Sequence, residues 1–157
     1  MALILNNLAL LVADDTRRCD EAEGFYQEAL KIRRELVKGN PTVFLSDLVD
    51  TLGGLGSAQL QWQNPQQART TLQEAADLLR PYARQEPGVL GDKQAFILYL
   101  LAQADSDAQR ACPALAEALE LAQSEDLRAD ISTGQAACRP NNRRPGGSAR
   151  PPAVLRG

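Results

Sequence analysis

Apolar residues recur at helical spacing along most of the chain, and the stripe that they form predicts a series of helices. In the segment 19–38, Ala22, Tyr26 and Ala29 follow the i, i+3/i+4, i+7 pattern of one helix face. The same spacing returns over residues 68–82. An alternating apolar–polar run with a hairpin turn, which would predict paired strands, does not occur. The sequence therefore predicts six helices, near residues 2–13, 19–38, 46–61, 65–85, 92–104 and 109–122.

Capping residues indicate where several of these helices begin and end. The run Asn64-Pro65-Gln66-Gln67 combines an N-cap, a first-turn proline and a capping-box glutamine. Ser46 and Asp92 are the predicted N-caps of the third and fifth helices. The runs 39–41 (Gly-Asn-Pro) and 86–88 (Glu-Pro-Gly) are predicted to end the second and fourth helices.

The helical part of the chain repeats itself at an offset of about 46 residues. The segment 21–36 aligns with 67–82, and the segment 50–57 aligns with both 4–11 and 96–103. Each unit therefore holds one helix with a Leu-x-x-Leu-small pattern and one with an Ala-x3-bulky-x2-Ala pattern. Small residues at fixed spacing allow two helix axes to approach closely; they are Ala22, Ala29, Gly56, Ala68, Ala75 and Ala102.

This pair of patterns resembles the tetratricopeptide repeat family, over about three units spanning 2–122. The resemblance implies an all-α fold, an α-solenoid of antiparallel helix pairs wound into a right-handed superhelix. The family's usual unit is about 34 residues, so the longer second helices here look like the kinesin light chain type. HEAT-like repeats or an unrelated helical bundle remain alternatives. The register of the third unit is open between Ala111/Ala118, which we favour, and Ala114/Leu121.

Composition divides the chain into two parts. Residues 1–122 carry a net charge of −6, whereas residues 123–157 carry +3 and hold four prolines and four glycines. The second part also has few large aliphatic residues, too few to offset the conformational entropy that ordering it would cost. We therefore expect a helical repeat domain over 1–122 and a largely disordered tail over 123–157, with a last short helical turn within 123–132.

The residue types available exclude several kinds of chemistry. The chain has no histidine, so Ser-His-Asp and Cys-His catalysis are excluded, and the commonest zinc ligand is missing. Three cysteines, Cys19, Cys112 and Cys138, are far apart and odd in number, which favours free thiols in a reducing compartment over a disulfide framework. The apolar start of the chain is too short to span a bilayer. We expect a cytoplasmic, non-catalytic protein without a cofactor or a metal.

Charged pairs along the chain have a structural interpretation. Asp14-Asp15 and Asp105-Ser106-Asp107 fall at predicted turns, where aspartate commonly caps helices, and neither offers enough oxygen ligands for a divalent cation. Arg17-Arg18 and Arg33-Arg34 are expected on solvated helix faces, paired with Glu21, Glu28 or Asp14.

The resemblance also implies where a partner would bind, because in this family the first helix of each unit lines a concave groove. The outward positions are then Asn6, Leu10, Asp50, Gly53, Ser57, Gln61, Tyr99 and Gln103. The amide of Asn6 suits a peptide backbone, since it offers both a donor and an acceptor. We expect a scaffold that binds a protein or peptide, and neither nucleic acid nor a membrane.

The first predicted helix, 2–13, is apolar almost all round. Such a helix is normally buried on more than one side, so we expect it to leave an exposed apolar patch. This patch favours self-association of the chain through residues 2–13. The alternative is that the chain is a fragment of a larger multidomain signalling or regulatory protein, in which these repeats pack on a neighbouring catalytic or sensor domain.

Overall fold

Helices make up nearly all of the structure, a computed structural model that describes residues 1–136 and residue 138. The α-helices are α1 (Ala2–Ala13), α2 (Cys19–Gly39), α3 (Pro41–Gln61), α4 (Pro65–Gln85), α5 (Pro87–Ala104), α6 (Ala108–Leu121) and α7 (Glu125–Ala136). A 3-10 turn, Thr16–Arg18, precedes α2. Within these described residues there is no strand, which confirms the all-α class. None of these helices combines the length and the apolar character needed to cross a bilayer.

Helices α3 and α5 begin five residues earlier than the sequence predicts. Pro41 and Pro87 occupy the first turn of these helices. Proline is tolerated there because a backbone N–H at that position has no acceptor within the helix. The predictions of Ser46 and Asp92 as N-caps were therefore wrong. Asn40 caps α3 instead, since its side chain accepts from the backbone N–H of Val43 at 3.4 Å.

The start of α4 agrees with the predicted capping signal. The Asn64 side chain accepts from the backbone N–H of Gln67 at 3.4 Å, and Pro65 lies in the first turn. The residue before this cap, Gln63, has a φ of 58°. The left-handed backbone there reverses the chain between α3 and α4.

Each helix packs against the next one along the chain. The odd-numbered and the even-numbered helices differ in how they contact their alternate neighbours. The backbones of α1, α3, α5 and α7 also approach one another directly, to within 8 Å between Cα atoms. Helices α2, α4 and α6 do not approach one another so closely; long side chains bridge them instead. Arg34 pairs with Glu74 at 2.8 Å, and Arg80 pairs with Glu117 at 3.3 Å.

Small residues lie at the helix contacts, as their spacing predicts. Ala22, Ala29, Ala68 and Ala75 are completely buried. A Cβ added to Gly56 of α3 would lie 2.5 Å from the side chain of Leu72 on α4. The backbone of α3 at this point is therefore too close to Leu72 for a larger residue.

The arginine pairs differ from the prediction in one important respect. Arg33 is buried rather than solvated, and it donates to the backbone carbonyl of Asp47 and to the hydroxyl of Thr51 on α3. Arg18 does pair with Glu21 at 2.8 Å, as expected. The long side chain of Arg33 reaches polar acceptors in the middle of α3, partners that the sequence pattern does not reveal.

Trp62 joins the ends of α1 and α3. Its indole N–H donates to the carbonyl oxygen of Ala13 at 3.0 Å. Carbonyls in the last turn of a helix have no partner within the helix. The tryptophan therefore satisfies one of the free carbonyls at the end of α1.

Helix α7 is longer than the single turn expected between residues 123 and 132. Ile131 is fully buried, and Arg128 donates to the carbonyl oxygens of Leu119 and Ala122 at 2.9 and 2.7 Å. Asp92 accepts from the backbone N–H of Gln123 at the entry to this helix. Residue 137 and residues 139–157 lie outside the described part of the chain, so the disorder predicted for them stays a prediction.

Cys112 and Cys138 form a disulfide, so the expectation of three free thiols was wrong. Their Cα atoms are 5.6 Å apart, within the range that a disulfide spans. The pairing depends on α7 folding back along α6, which brings together two cysteines 26 positions apart. Cys19 is a free cysteine.

Candidate partner-binding groove

The predicted groove residues lie on α1, α3 and α5, in rows that follow the repeat. Residues three or four positions apart share one face of a helix. Positions separated by the repeat offset occupy the equivalent face of α1, α3 and α5. Three rows result: Leu3, Asp50 and Phe96; Asn6, Gly53 and Tyr99; Leu10, Ser57 and Gln103. Leu3 and Phe96, which were not among the predicted groove residues, complete the first row.

Most of these side chains are accessible. Leu10 and Phe96 are 50% and 44% exposed, high values for large apolar residues. Gln61 and Gln103 are exposed, and Ser57 is half-buried. The face therefore offers apolar contact together with amide and hydroxyl groups that hydrogen-bond.

Gly53 does not line the groove as predicted. It is buried, and an added Cβ would lie 2.8 Å from Cδ1 of Ile97 on α5. The missing side chain lets α3 and α5 approach each other. Its role is packing, and the middle row is reduced to Asn6 and Tyr99.

Asp50 is held in an ion pair that the sequence did not suggest. Lys93 of α5 lies 2.6 Å from the Asp50 carboxylate and donates to the Ser46 hydroxyl at 2.6 Å. Because α3 begins at Pro41, Ser46 is free to accept this bond. The pair neutralises the one carboxylate predicted in the groove.

Asn6 carries an unused hydrogen-bonding group. Its Oδ1 atom is buried and has no hydrogen-bond partner among the described residues. A buried acceptor without a partner costs free energy. Because Oδ1 has almost no accessible surface, the Asn6 side chain must shift before a ligand can donate to this atom.

Tyr99 and Gln103 line a cavity of about 290 Å³ at the α7 end of the groove. The cavity is open to solvent, and α6 and α7 form part of its wall with Leu115, Gly134 and the Cys112–Cys138 disulfide. This cavity was not predicted, because no sequence pattern indicated α7 as a packed helix. The buried residue Ile131, alone on a polar segment, gave too weak a periodic signal.

The acidic pairs at the turns have structural partners. Asp105 is buried against Arg69 and Arg110, at 3.3 and 3.0 Å, and accepts from the backbone N–H of Asp107. Asp15 caps the 3-10 turn, and the hydrogen bond from the Arg17 side chain lowers the pKa of Asp15 below its ordinary value. Over the described residues, histidine, cysteine, aspartate and glutamate form no cluster of three suited to a metal ion.

Comparison of the sequence with models of known protein families gives no match, and comparison with curated proteins gives none. The tetratricopeptide resemblance therefore rests on the residues quoted above alone.

Proposed function

We propose that this protein is a non-catalytic interaction scaffold that binds a protein or peptide partner across α1, α3 and α5. The observation that carries the proposal is the alignment of accessible apolar and amide side chains in rows across three alternate helices, α1, α3 and α5. A ligand lying across these helices meets Leu10, Ser57 and Gln103 in one row. Rows of this kind suit an extended chain that needs both apolar contact and backbone hydrogen bonds.

We also propose that the helix pairs form a tetratricopeptide-like α-solenoid wound as a right-handed superhelix. Two observations support the solenoid. The 46-residue offset relates the helix pairs, and α1, α3, α5 and α7 approach more closely than α2, α4 and α6 do. Closer packing on one side of a stack of helix pairs curves the stack toward that side. The groove residues then lie on the concave surface.

The chemistry of the groove favours a ligand of low charge. Lys93 is already paired with Asp50, so it offers no free cation to an acidic ligand. Asn6, Gln61 and Gln103 supply amides that pair with peptide groups of any sequence. We therefore expect a peptide with one or more apolar side chains, anchored against Leu10 and Tyr99.

A peptide selected for binding to the intact chain from a random display library tests the groove. Tyr99→Ala should weaken binding of that peptide by about 30-fold, as for a central aromatic anchor. Asn6→Ala should weaken it by about fivefold, because one hydrogen bond is lost. Gln73→Ala, a change in α4 away from the groove, is the matched control. Equal affinity for all four proteins, measured by calorimetry, would contradict the proposed site.

The proposal includes the cytoplasmic location expected from the sequence, and the Cys112–Cys138 disulfide is an observation against it, because disulfides persist mainly in oxidising compartments. The Cys112–Cys138 pair makes this location testable, since a reducing compartment keeps such a pair as thiols. Alkylation of cysteines in intact cells, followed by mass measurement, distinguishes the two states. A cysteine pair that resists alkylation until a reductant is added would place the protein in an oxidising compartment.

A further inference from the structure

Helix α7 is attached to the rest of the molecule unevenly along its length. At its entry, the Asp92 carboxylate of α5 accepts from two backbone N–H groups. Arg128 then donates to two carbonyl oxygens at the end of α6, and Ile131 is fully buried. Residues 132–136 are exposed or half-buried, and no hydrogen bond in the described part of the chain joins them to another helix. The first half of α7 is therefore anchored and the second half is not.

The disulfide between Cys112 and Cys138 is the attachment that remains for the second half of α7. Cys112 lies in α6, and Cys138 follows the end of α7 by two residues. With this bond formed, α7 keeps Gly134 beside the cavity, where an added Cβ would lie 3.6 Å from both Tyr99 and Leu115. The disulfide thus holds one wall of the cavity in place.

The described part of the chain leaves this disulfide accessible to a reductant. Both cysteines are half-buried, and both line the cavity, which is open to solvent and measures about 290 Å³. Thiol–disulfide exchange requires a thiolate to reach one of the two sulfur atoms. A cavity of this size admits a small dithiol, so reduction does not require the helices to unfold first.

We propose that the Cys112–Cys138 pair is a redox switch that sets the position of the second half of α7. The reductant is a dithiol: one of its thiolates attacks a sulfur of the pair to form a mixed disulfide, and the other then displaces the protein sulfur. The protein gains two electrons and two protons as two thiols, and the reductant becomes a disulfide. Residues 132–136 then lose their attachment, whereas Arg128 and Ile131 keep the first half of α7 in place.

The consequence for partner binding rests on the proposed function. Tyr99 and Gln103 belong both to the groove and to the cavity. In the oxidised chain, the wall at Gly134 is already in position for an apolar side chain that binds against Tyr99. Reduction releases that wall, so part of the preorganised contact surface is lost. We therefore expect the oxidised chain to bind a groove peptide about fivefold more tightly than the reduced chain.

The first test measures the switch in the intact chain without a peptide. The chain is equilibrated in mixtures of reduced and oxidised dithiothreitol, and free thiols are trapped by alkylation and counted by mass. Reduction of the pair should be reversible and should preserve the helical circular dichroism. Hydrogen exchange should become faster over residues 132–136 and stay unchanged over α3. Cys19→Ser, which keeps the pair, is the matched control and should respond as the unaltered chain does.

Two results of this first test would overturn the proposal. Reduction that occurs only together with loss of the helical circular dichroism would show that the bond is inaccessible in the folded protein. Reduction without faster exchange over residues 132–136 would show that packing alone holds the end of α7. Cys112→Ser combined with Cys138→Ser should reproduce the exchange of the reduced chain and should not respond to dithiothreitol.

The second test measures regulation of the groove with a peptide selected from a display library on the oxidised chain. Calorimetry should give about fivefold weaker binding after reduction, and the double serine variant should bind equally weakly with and without dithiothreitol. Equal affinity in the two redox states would overturn the regulation of the groove. A library that yields no binding peptide would contradict the proposed function instead, and the thiol and exchange measurements would still decide whether the switch exists.

Discussion

Tyr26 shows at the residue scale how burial sets the behaviour of a single group. Its side chain is fully buried, and its hydroxyl has no hydrogen-bond partner among the described residues. Burial raises the pKa of Tyr26 to about 12, and the negative charge of Asp14 adds to the effect. The ring of Tyr26 fills the space above Gly54. Tyr26 therefore stabilises the fold through packing of its ring and not through a hydrogen bond of its hydroxyl.

We predict that stability falls with rising pH between about 10 and 12 and that Tyr26→Phe reduces this loss. The unfolded chain releases the Tyr26 proton near pH 10 whereas the folded chain holds it until about pH 12, so alkaline pH favours unfolding. Near pH 8, Tyr26→Phe should be neutral or stabilising, because it removes a buried hydroxyl without a partner. Urea unfolding at pH 8 and at pH 11 measures both effects. A parallel pH dependence in the two proteins would contradict the assignment.

At the scale of helices, the close approach of α5 and α6 depends on one glycine. A Cβ added to Gly91 would lie 2.8 Å from the backbone carbonyl oxygen of Leu121. A backbone atom cannot move aside as the end of a flexible side chain can. By contrast, an added Cβ at Gly24 in α2 has no neighbour within 4 Å.

We predict opposite effects for two identical substitutions. Gly91→Ala should destabilise the fold by about 1–3 kcal/mol, since the two helices must separate. Gly24→Ala should stabilise it by up to about 1 kcal/mol, because alanine favours a helix and meets no obstacle. Thermal unfolding followed by circular dichroism compares them directly. Stabilisation by Gly91→Ala would show that α5 and α6 are less tightly packed than described.

The sequence predicted helices well where both a periodic stripe and a capping signal were present. The α4 start at Asn64 is one example, and the buried alanines of α2 and α4 are another. It misplaced the starts of α3 and α5 because a proline both ends one helix and begins the next, and local chemistry does not separate the two roles. The Cys112–Cys138 bond and the Lys93–Asp50 pair join residues far apart in sequence, so they depend on packing that no local pattern encodes.

At the scale of the whole molecule, the two ends of the stack of helices differ in how their terminal helix is packed and covalently linked. Helix α1 leaves Ile4, Leu8 and Leu11 exposed, whereas α7 packs on α5 and α6 and is tied to α6 by the Cys112–Cys138 disulfide. A helix of 12 residues is marginal in water unless packing holds it. Besides Ile131, α7 contributes no fully buried side chain among its described residues.

We predict that Cys138→Ser loosens α7 more than it loosens the rest of the molecule. Breaking a disulfide that closes a loop of 26 residues removes about 3.5 kcal/mol of stabilisation, and the loss should appear first as faster hydrogen exchange over residues 125–136. Cys19→Ser, which removes the free cysteine, is the matched control and should leave exchange unchanged. Uniformly faster exchange in all helices would show that the disulfide supports the entire fold rather than its last helix.

The bond between Trp62 and Ala13 gives the molecule a built-in optical probe. Trp62 is the chain's single tryptophan, and its indole N–H is fixed to the last turn of α1. Indole fluorescence responds to the loss of such a bond and to the entry of water around the ring. Separation of α1 from α3 should therefore shift the emission to longer wavelength even while the other helices stay folded. The intrinsic fluorescence of this protein thus follows one particular junction, and it does so without any added label.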